Sequence, residues 1–267
     1  MKQYLCFIGT MYFAFSSFAK AECTLETVND VDCFKCGNNC VAHVTYTDEL
    51  QEDGTTKSIG TMELSGTGDM GGWNESLGAV RPWYSIKNDI HNIKINEGIT
   101  SVGVNAFYDF DNLTNIELPQ SLEKIRVGGL ESCPLIQHIT IPENTIIENQ
   151  SLDLTGLTSV IISKGVQLSS GAFTHPDGRA STPLVTLYCP VGMEDSCEKA
   201  IAYRQGEAKV EVYTKDKDGS FFFKNKWYAS QEDMLAGKHI KKLRYTVEEA
   251  MKATEKGDKF HVFLTYK

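Results

Sequence analysis

Five short apolar triplets recur along this chain: Ile93-Lys94-Ile95, Ile116-Glu117-Leu118, Ile139-Thr140-Ile141, Val160-Ile161-Ile162 and Leu187-Tyr188-Cys189. They are separated by 23, 23, 21 and 27 residues. The positions between them recur too. Ile99, Leu122 and Val166 fall six residues after the start of a triplet, Val102 and Ile125 nine, Phe107 and Leu130 fourteen, and Leu113 and Ile136 twenty. An ordinary β domain with evenly spaced strands would reproduce the triplets but not several interior offsets at once. Each unit reads as a short strand, a turn such as Asn96-Glu97-Gly98 or Pro119-Gln120-Ser121, and a second inward-facing stretch. Such a unit alone leaves an apolar face open to water. Only a neighbouring copy can cover it, so the copies must stack into a solenoid. The fourth unit carries extra residues at 175–183, expected to protrude as a loop.

A period of this length is that of leucine-rich repeats. Residues 95–115, Ile-Asn-Glu-Gly-Ile-Thr-Ser-Val-Gly-Val-Asn-Ala-Phe-Tyr-Asp-Phe-Asp-Asn-Leu-Thr-Asn, resemble the BspA-like leucine-rich repeat family. The stretch 60–70 and Arg81-Pro82-Trp83-Tyr84 look like that family's lead-in, and the resemblance covers roughly residues 55–190. The third repeat departs from it: Ile146-Ile147 and Leu152-Asp153-Leu154 stand where the family has Gly-x-x-Ala-Phe. The resemblance implies a solenoid on an exported or surface protein that binds other proteins or adheres to them.

Strand alternation then sorts the side chains. Ile93, Ile95, Ile116, Leu118, Ile139, Ile141, Val160 and Ile162 should point inward. Asn92, Asn115, His138 and Ser159 should form one outer column, and Lys94, Glu117, Thr140 and Ile161 the other.

The ends differ in texture. Residues 22–90 are rich in Cys, Gly and Thr with short alternating runs, which predicts a β cap. After Cys189-Pro190 a helical stretch at 193–203 and a strand at 210–213 should close the solenoid. Residues 214–267 are expected to form a separate small α+β unit. It would hold an aromatic hairpin at 221–228, a helix opened by Thr246 with Glu249 in the capping-box position, and a strand at 260–264. On that helix Val247, Ala250, Met251 and Thr254 share a face. The fold class is therefore mainly β with an α+β tail, in four segments: 1–21, 22–90, 91–213 and 214–267.

Lys2, the apolar run 5–18 and Ala19-Lys20-Ala21 read as a secretory signal over residues 1–21. Cleavage there takes the formal charge from −9 to −11, because Lys2 and Lys20 leave and no acid does. That balance opposes nucleic acid and anionic lipid as main partners, and no transmembrane segment remains in the mature chain. Export leaves seven cysteines. Cys23, Cys33, Cys36 and Cys40 form a cluster that could hold two disulfides, a zinc ion or a redox Cys-x-x-C pair; export and the Gly37-Asn38-Asn39 that follows favour disulfides. Cys189 and Cys197 are expected to pair, leaving Cys133, which falls where Phe110 stands one repeat earlier, as a buried free thiol.

Other motifs carry little chemistry. Gly66-x-Gly68-x-x-Gly71 matches a dinucleotide fingerprint, but Gly72, Arg81 and Pro82 interrupt the helix it needs. The six histidines show no metal-ligand spacing, Asp216-Lys217-Asp218-Gly219 lacks the glutamate of a calcium loop, and no nucleophile elbow is present. Asn74, Asn112 and Asn149 begin glycosylation sequons. No catalytic residue, cofactor or metal is expected. The function expected is a secreted or cell-surface scaffold, with the periplasm as the alternative location, that binds a host or matrix protein through Lys94, Glu117, His138, Thr140, Tyr188 and the 175–183 insertion. The rivals are an envelope component that self-associates and an exported enzyme with its site in the C-terminal unit.

Overall fold

A computed structural model describes residues 23–24, 33–74, 78–174, 182–202 and 208–240. The signal at 1–21, residues 175–181 of the insertion, and the helix and strand expected at 246–264 lie outside the described residues.

The cap begins with three antiparallel strands, β1 (Cys33–Gly37), β2 (Cys40–Leu50) and β3 (Thr56–Gly66). Val44, Met62 and Leu64 are fully buried between them and the first repeat. The pairing then changes sense. β3 runs parallel to β5 (Ile90–Ile95), after the short β4 (Gly68–Asp69), with Met62 opposite Ile93 and Leu64 opposite Ile95. The last cap strand thus serves as a rung before the first repeat and covers the apolar face that a terminal repeat cannot cover itself.

Two parallel ladders wind from there. The first continues through β7 (Asn115–Glu117), β9 (His138–Ile141), β11 (Ser159–Ile162), β13 (Thr186–Pro190) and β14 (Lys209–Lys215). The second joins β4, β6 (Ile99–Val102), β8 (Lys124–Ile125), β10 (Ile146–Ile147) and β12 (Gln167–Leu168). Between them lies the core. Ile93, Ile116, Ile139 and Val160 meet Ile99, Leu122, Ile125 and Ile147, with Phe107, Phe110, Leu130, Leu152 and Phe173 on the third side. Mainly β architecture with a leucine-rich repeat solenoid of about five turns, as read from the sequence, is what forms. The irregular third repeat keeps its register, Ile147 pairing with Ile125 and Leu152 filling the buried position in place of a phenylalanine.

The thiols sort as expected. Cys23 bonds Cys33, Cys36 bonds Cys40 and Cys189 bonds Cys197, with Cα separations of 5.7, 5.0 and 6.6 Å. Helix α1 (Glu194–Ala202) presents Cys197 and Ala200 to the open end of the core, so the last bridge ties the closing helix to β13. Cys133 is the free cysteine among those described, and burial pushes its thiol up to about 12. Without thiolate it is inert. In the native protein an alkylating reagent should leave Cys133 unmodified, and label it fully only after denaturation; rapid native labelling, read by mass mapping, would show that the third side of the core is open.

The end of the chain holds a correction. Ile161, placed by alternation on the outer face, is buried at 2% exposure. Strand β14 runs through residue 214 and pairs with β13 on one side and with β15 (Phe221–Phe223) on the other, and β15 turns back into β16 (Lys226–Tyr228). Lys224 and Asn225 form the turn with φ of 46° and 61°, the left-handed pair that suits the twist of a two-residue hairpin. That hairpin and helix α2 (Gln231–Leu235) lay Phe221, Phe223, Tyr228 and Met234 over Ile161 and Tyr213, with Tyr188 at the margin, making a second core outside the sheet. The described part of 214–267 therefore shares a sheet and a core with the solenoid.

Candidate functional site

The outer face carries two columns in register. Thr61, Asn92 and Asn115, then His138, Ser159, Thr186 and Lys209, form one; Glu63, Lys94 and Glu117, then Thr140, Ile161, Tyr188 and Glu211, form the other. Lys94, Glu117, His138 and Thr140 are exposed on them as the alternation predicts. Tyr188 is half-buried, its ring edge-on to Phe223 at 5.5 Å, so it anchors the hairpin more than it displays a ring to a ligand.

The first ladder is interrupted. One hydrogen-bonded sheet ends at β7 and the next begins at β9, with no ladder between the two strands, although β8 and β10 stay paired on the opposite ladder. β7 is only three residues long, with Pro119, which has no N–H to give, close behind it. At this break a groove of about 570 Å³ opens, with Asn115, Glu117, His138 and Thr140 on its floor. Its far wall is α2, through Ser230, Gln231, Glu232 and Leu235. A second groove of about 740 Å³ lies on the other side of the same helix, over Ser159, Thr186 and Tyr188. His138, Glu232 and Leu235 border both. The α2 wall is held by Ser230, whose Oγ accepts from the Asp233 N–H at 3.1 Å, and by Met234 seated in the outer core.

The charges on this face are unevenly matched. Lys94 pairs with Glu63 at 3.7 Å, Lys209 and Lys224 both with Glu211 at 2.9 and 3.1 Å, and Lys215 with Glu143 at 3.2 Å. The hydrogen bond from Lys209 holds the Glu211 carboxyl below its ordinary range, and that carboxylate in turn raises Lys209. Glu117 and Glu232 have no ion-pair or side-chain hydrogen-bond partner among the described residues, and no lysine or arginine lines either groove.

His138 Nδ1 lies 2.6 Å from Ser159 Oγ, a nucleophile and a base in contact on this face. Ser159 is buried, and no carboxylate is hydrogen-bonded to His138 among the described residues, so the pair lacks the orienting group of a triad. No cluster of metal-ligating side chains occurs among the described residues either. The arrangement is suited to binding: fixed polar groups, exposed strand edges and a partly apolar wall.

The profile of the BspA type leucine-rich repeat region matches residues 83–178, in six copies. Residues 83–178 are a BspA type leucine-rich repeat region. The search of curated proteins returned no match. Among solved structures, a leucine-rich repeat protein from Eubacterium ventriosum ATCC 27560 is similar at 17% identity and a TM-score of 0.37, the match covering 69% of this chain and 49% of that one. The T. pallidum leucine-rich repeat protein TpLRR is similar at 16% identity and TM-score 0.37, over 62% of this chain and 80% of that one. The pneumococcal vaccine antigen PcpA is similar at 17% and 0.34, over 48% and 38%. This chain thus spans about half the length of the Eubacterium protein it matches.

The BspA type region supplies only one wall of the groove. Strands β7 and β9 lie inside residues 83–178, whereas α2 lies some fifty residues beyond them. Ser230, Gln231, Glu232 and Leu235 were accordingly not legible as site residues, though Ser230 and Asp233, three apart, are a helix-start signal that would have located α2 itself. No helix among the described residues is long and apolar enough to cross a membrane.

Proposed function

We propose that this chain is an exported, non-enzymatic scaffold that binds a protein ligand at the cell surface or in secreted form, through the outer face of its solenoid. The observation that carries the reading is the groove at the β7–β9 break, where exposed column residues and the α2 wall converge on a face held rigid by the stacked core. A preorganised surface of this kind orders few groups on binding. Three disulfides support an oxidising compartment, in keeping with the signal read at residues 1–21. Adhesion to a host or matrix protein is the form of binding that the family resemblance suggests.

The test is capture of extracellular-matrix and envelope proteins by the immobilised chain, compared with a Lys94→Ala, His138→Ala, Thr140→Ala variant. These side chains are exposed, so the variant should fold; Tyr188 is left in place because it packs on Phe223. Capture should fall about tenfold if these residues include interface hot spots. Undiminished capture would move the binding surface to the cap or to residues beyond 240.

A further inference from the structure

We infer that the groove between β7, β9 and α2 takes an extended, basic segment of a partner protein, one that sets an arginine or lysine between Glu117 and Glu232. This rests on the scaffold reading above and names the chemistry of its ligand. Three features of the site converge on it. The first is charge: Lys94, Lys209 and Lys215 each pair with an acid of this chain, while the two carboxylates lining the groove have no ion-pair partner among the described residues. Two unpaired carboxylates bordering one cleft repel each other, and a guanidinium between them relieves that repulsion and makes charge-assisted hydrogen bonds.

The second is backbone. β7 and β9 are the terminal strands of two sheets and form no ladder with each other, so an extended chain laid along the break can pair with a strand edge. Pairing of that kind gives affinity without regard to side chain. The third is the mixed character of the wall. Exposed Leu235 stands beside Gln231 and Glu232 on α2 and lines the same groove as Glu117 and Thr140, so a segment that carries apolar as well as basic residues meets both kinds of surface. A second copy of this chain is a poor occupant, since the formal charge of −9 makes approach of two copies repulsive.

The experiment is a titration of the full chain, followed by backbone amide NMR, with the blocked peptide acetyl-Val-Arg-Val-Arg-amide and with its counterpart acetyl-Val-Glu-Val-Glu-amide. The arginine peptide should shift the amides of residues 115–118, 138–140 and 230–235, bind about tenfold or more tightly than the glutamate peptide, and weaken with added salt. The Glu117→Gln, Glu232→Gln variant, altered only at exposed positions, should lose about tenfold in affinity for the arginine peptide and none for the other. Shifts centred elsewhere, equal binding of the two peptides, affinity unchanged in the variant, or concentration-dependent dimerisation through this groove would each overturn the assignment. The two readings fail differently. If proteins are captured equally by wild type and the double glutamine variant, the scaffold stands and the basic ligand falls; if no protein is captured at all, the scaffold reading falls whatever the peptides do.

Discussion

Replacing Phe107 with alanine should lower the unfolding free energy of the solenoid by about 4 kcal/mol, within the range of buried phenylalanine truncations. The ring has no solvent exposure. It stacks on Trp83 at 5.9 Å and meets Phe110 edge-on at 5.5 Å, while Trp73 stands edge-on to Trp83 at 5.1 Å, so one aromatic file joins the lead-in to the first full repeat. Trp83 Nε1 donates to the Ala106 carbonyl at 2.9 Å and holds the file in place. Repeats couple only to their neighbours, so a cavity at this junction weakens the link between the cap and everything after it. Urea unfolding followed by tryptophan fluorescence measures the loss. A change under about 1 kcal/mol would mean that the site collapses around the gap, and that the aromatic file does not join cap to repeats.

Truncating Phe221 and Phe223 together should release the hairpin and α2 from the outer face while leaving the repeats folded. Both rings are nearly buried, and with Tyr228 and Met234 they supply most of the apolar surface that covers Ile161. Their loss removes the outer core but no side chain of the inner one. Amide hydrogen exchange in β15, β16 and α2 should speed up at least about a hundredfold, the equivalent of about 3 kcal/mol of local stability, with β9 and β11 unchanged. The Phe221→Ala, Phe223→Ala variant should also bind the arginine peptide more weakly, because Glu232 and Leu235 leave with α2. Uniform acceleration across the repeats would show instead that inner and outer cores unfold as one unit.

How far each feature was legible follows from how local its cause is. The inward positions Ile93, Ile139 and Val160 could be read because strand alternation is a property of consecutive residues, and their recurrence reports the stacking directly. The Cys189–Cys197 bridge was legible because eight residues separate its ends. Within the first cluster only the set could be read: the choice of Cys23 with Cys33 and Cys36 with Cys40 depends on the turn between β1 and β2, where Gly37 faces Cys40 across the hairpin. Ile161 shows the limit from the other side. Alternation correctly aimed it outward, and only the return of the hairpin decided that outward there is not solvent.

The repeat period, the stacked apolar core, the exposed columns through Lys94, Glu117, His138 and Thr140, and the buried free thiol of Cys133 were determined by sequence alone, since each follows from periodicity within a single repeat or between adjacent ones. The tertiary structure decided the rest: the break between β7 and β9, the second core over Ile161, and the placing of Glu117 and Glu232 on the lining of one groove. Those two carboxylates stand more than a hundred residues apart, and no pattern of neighbours places them on one groove. That placing arises because β14 joins the solenoid sheet and its hairpin must bury Phe221 and Phe223 somewhere, and the apolar patch around Ile161 is where water can be excluded from both.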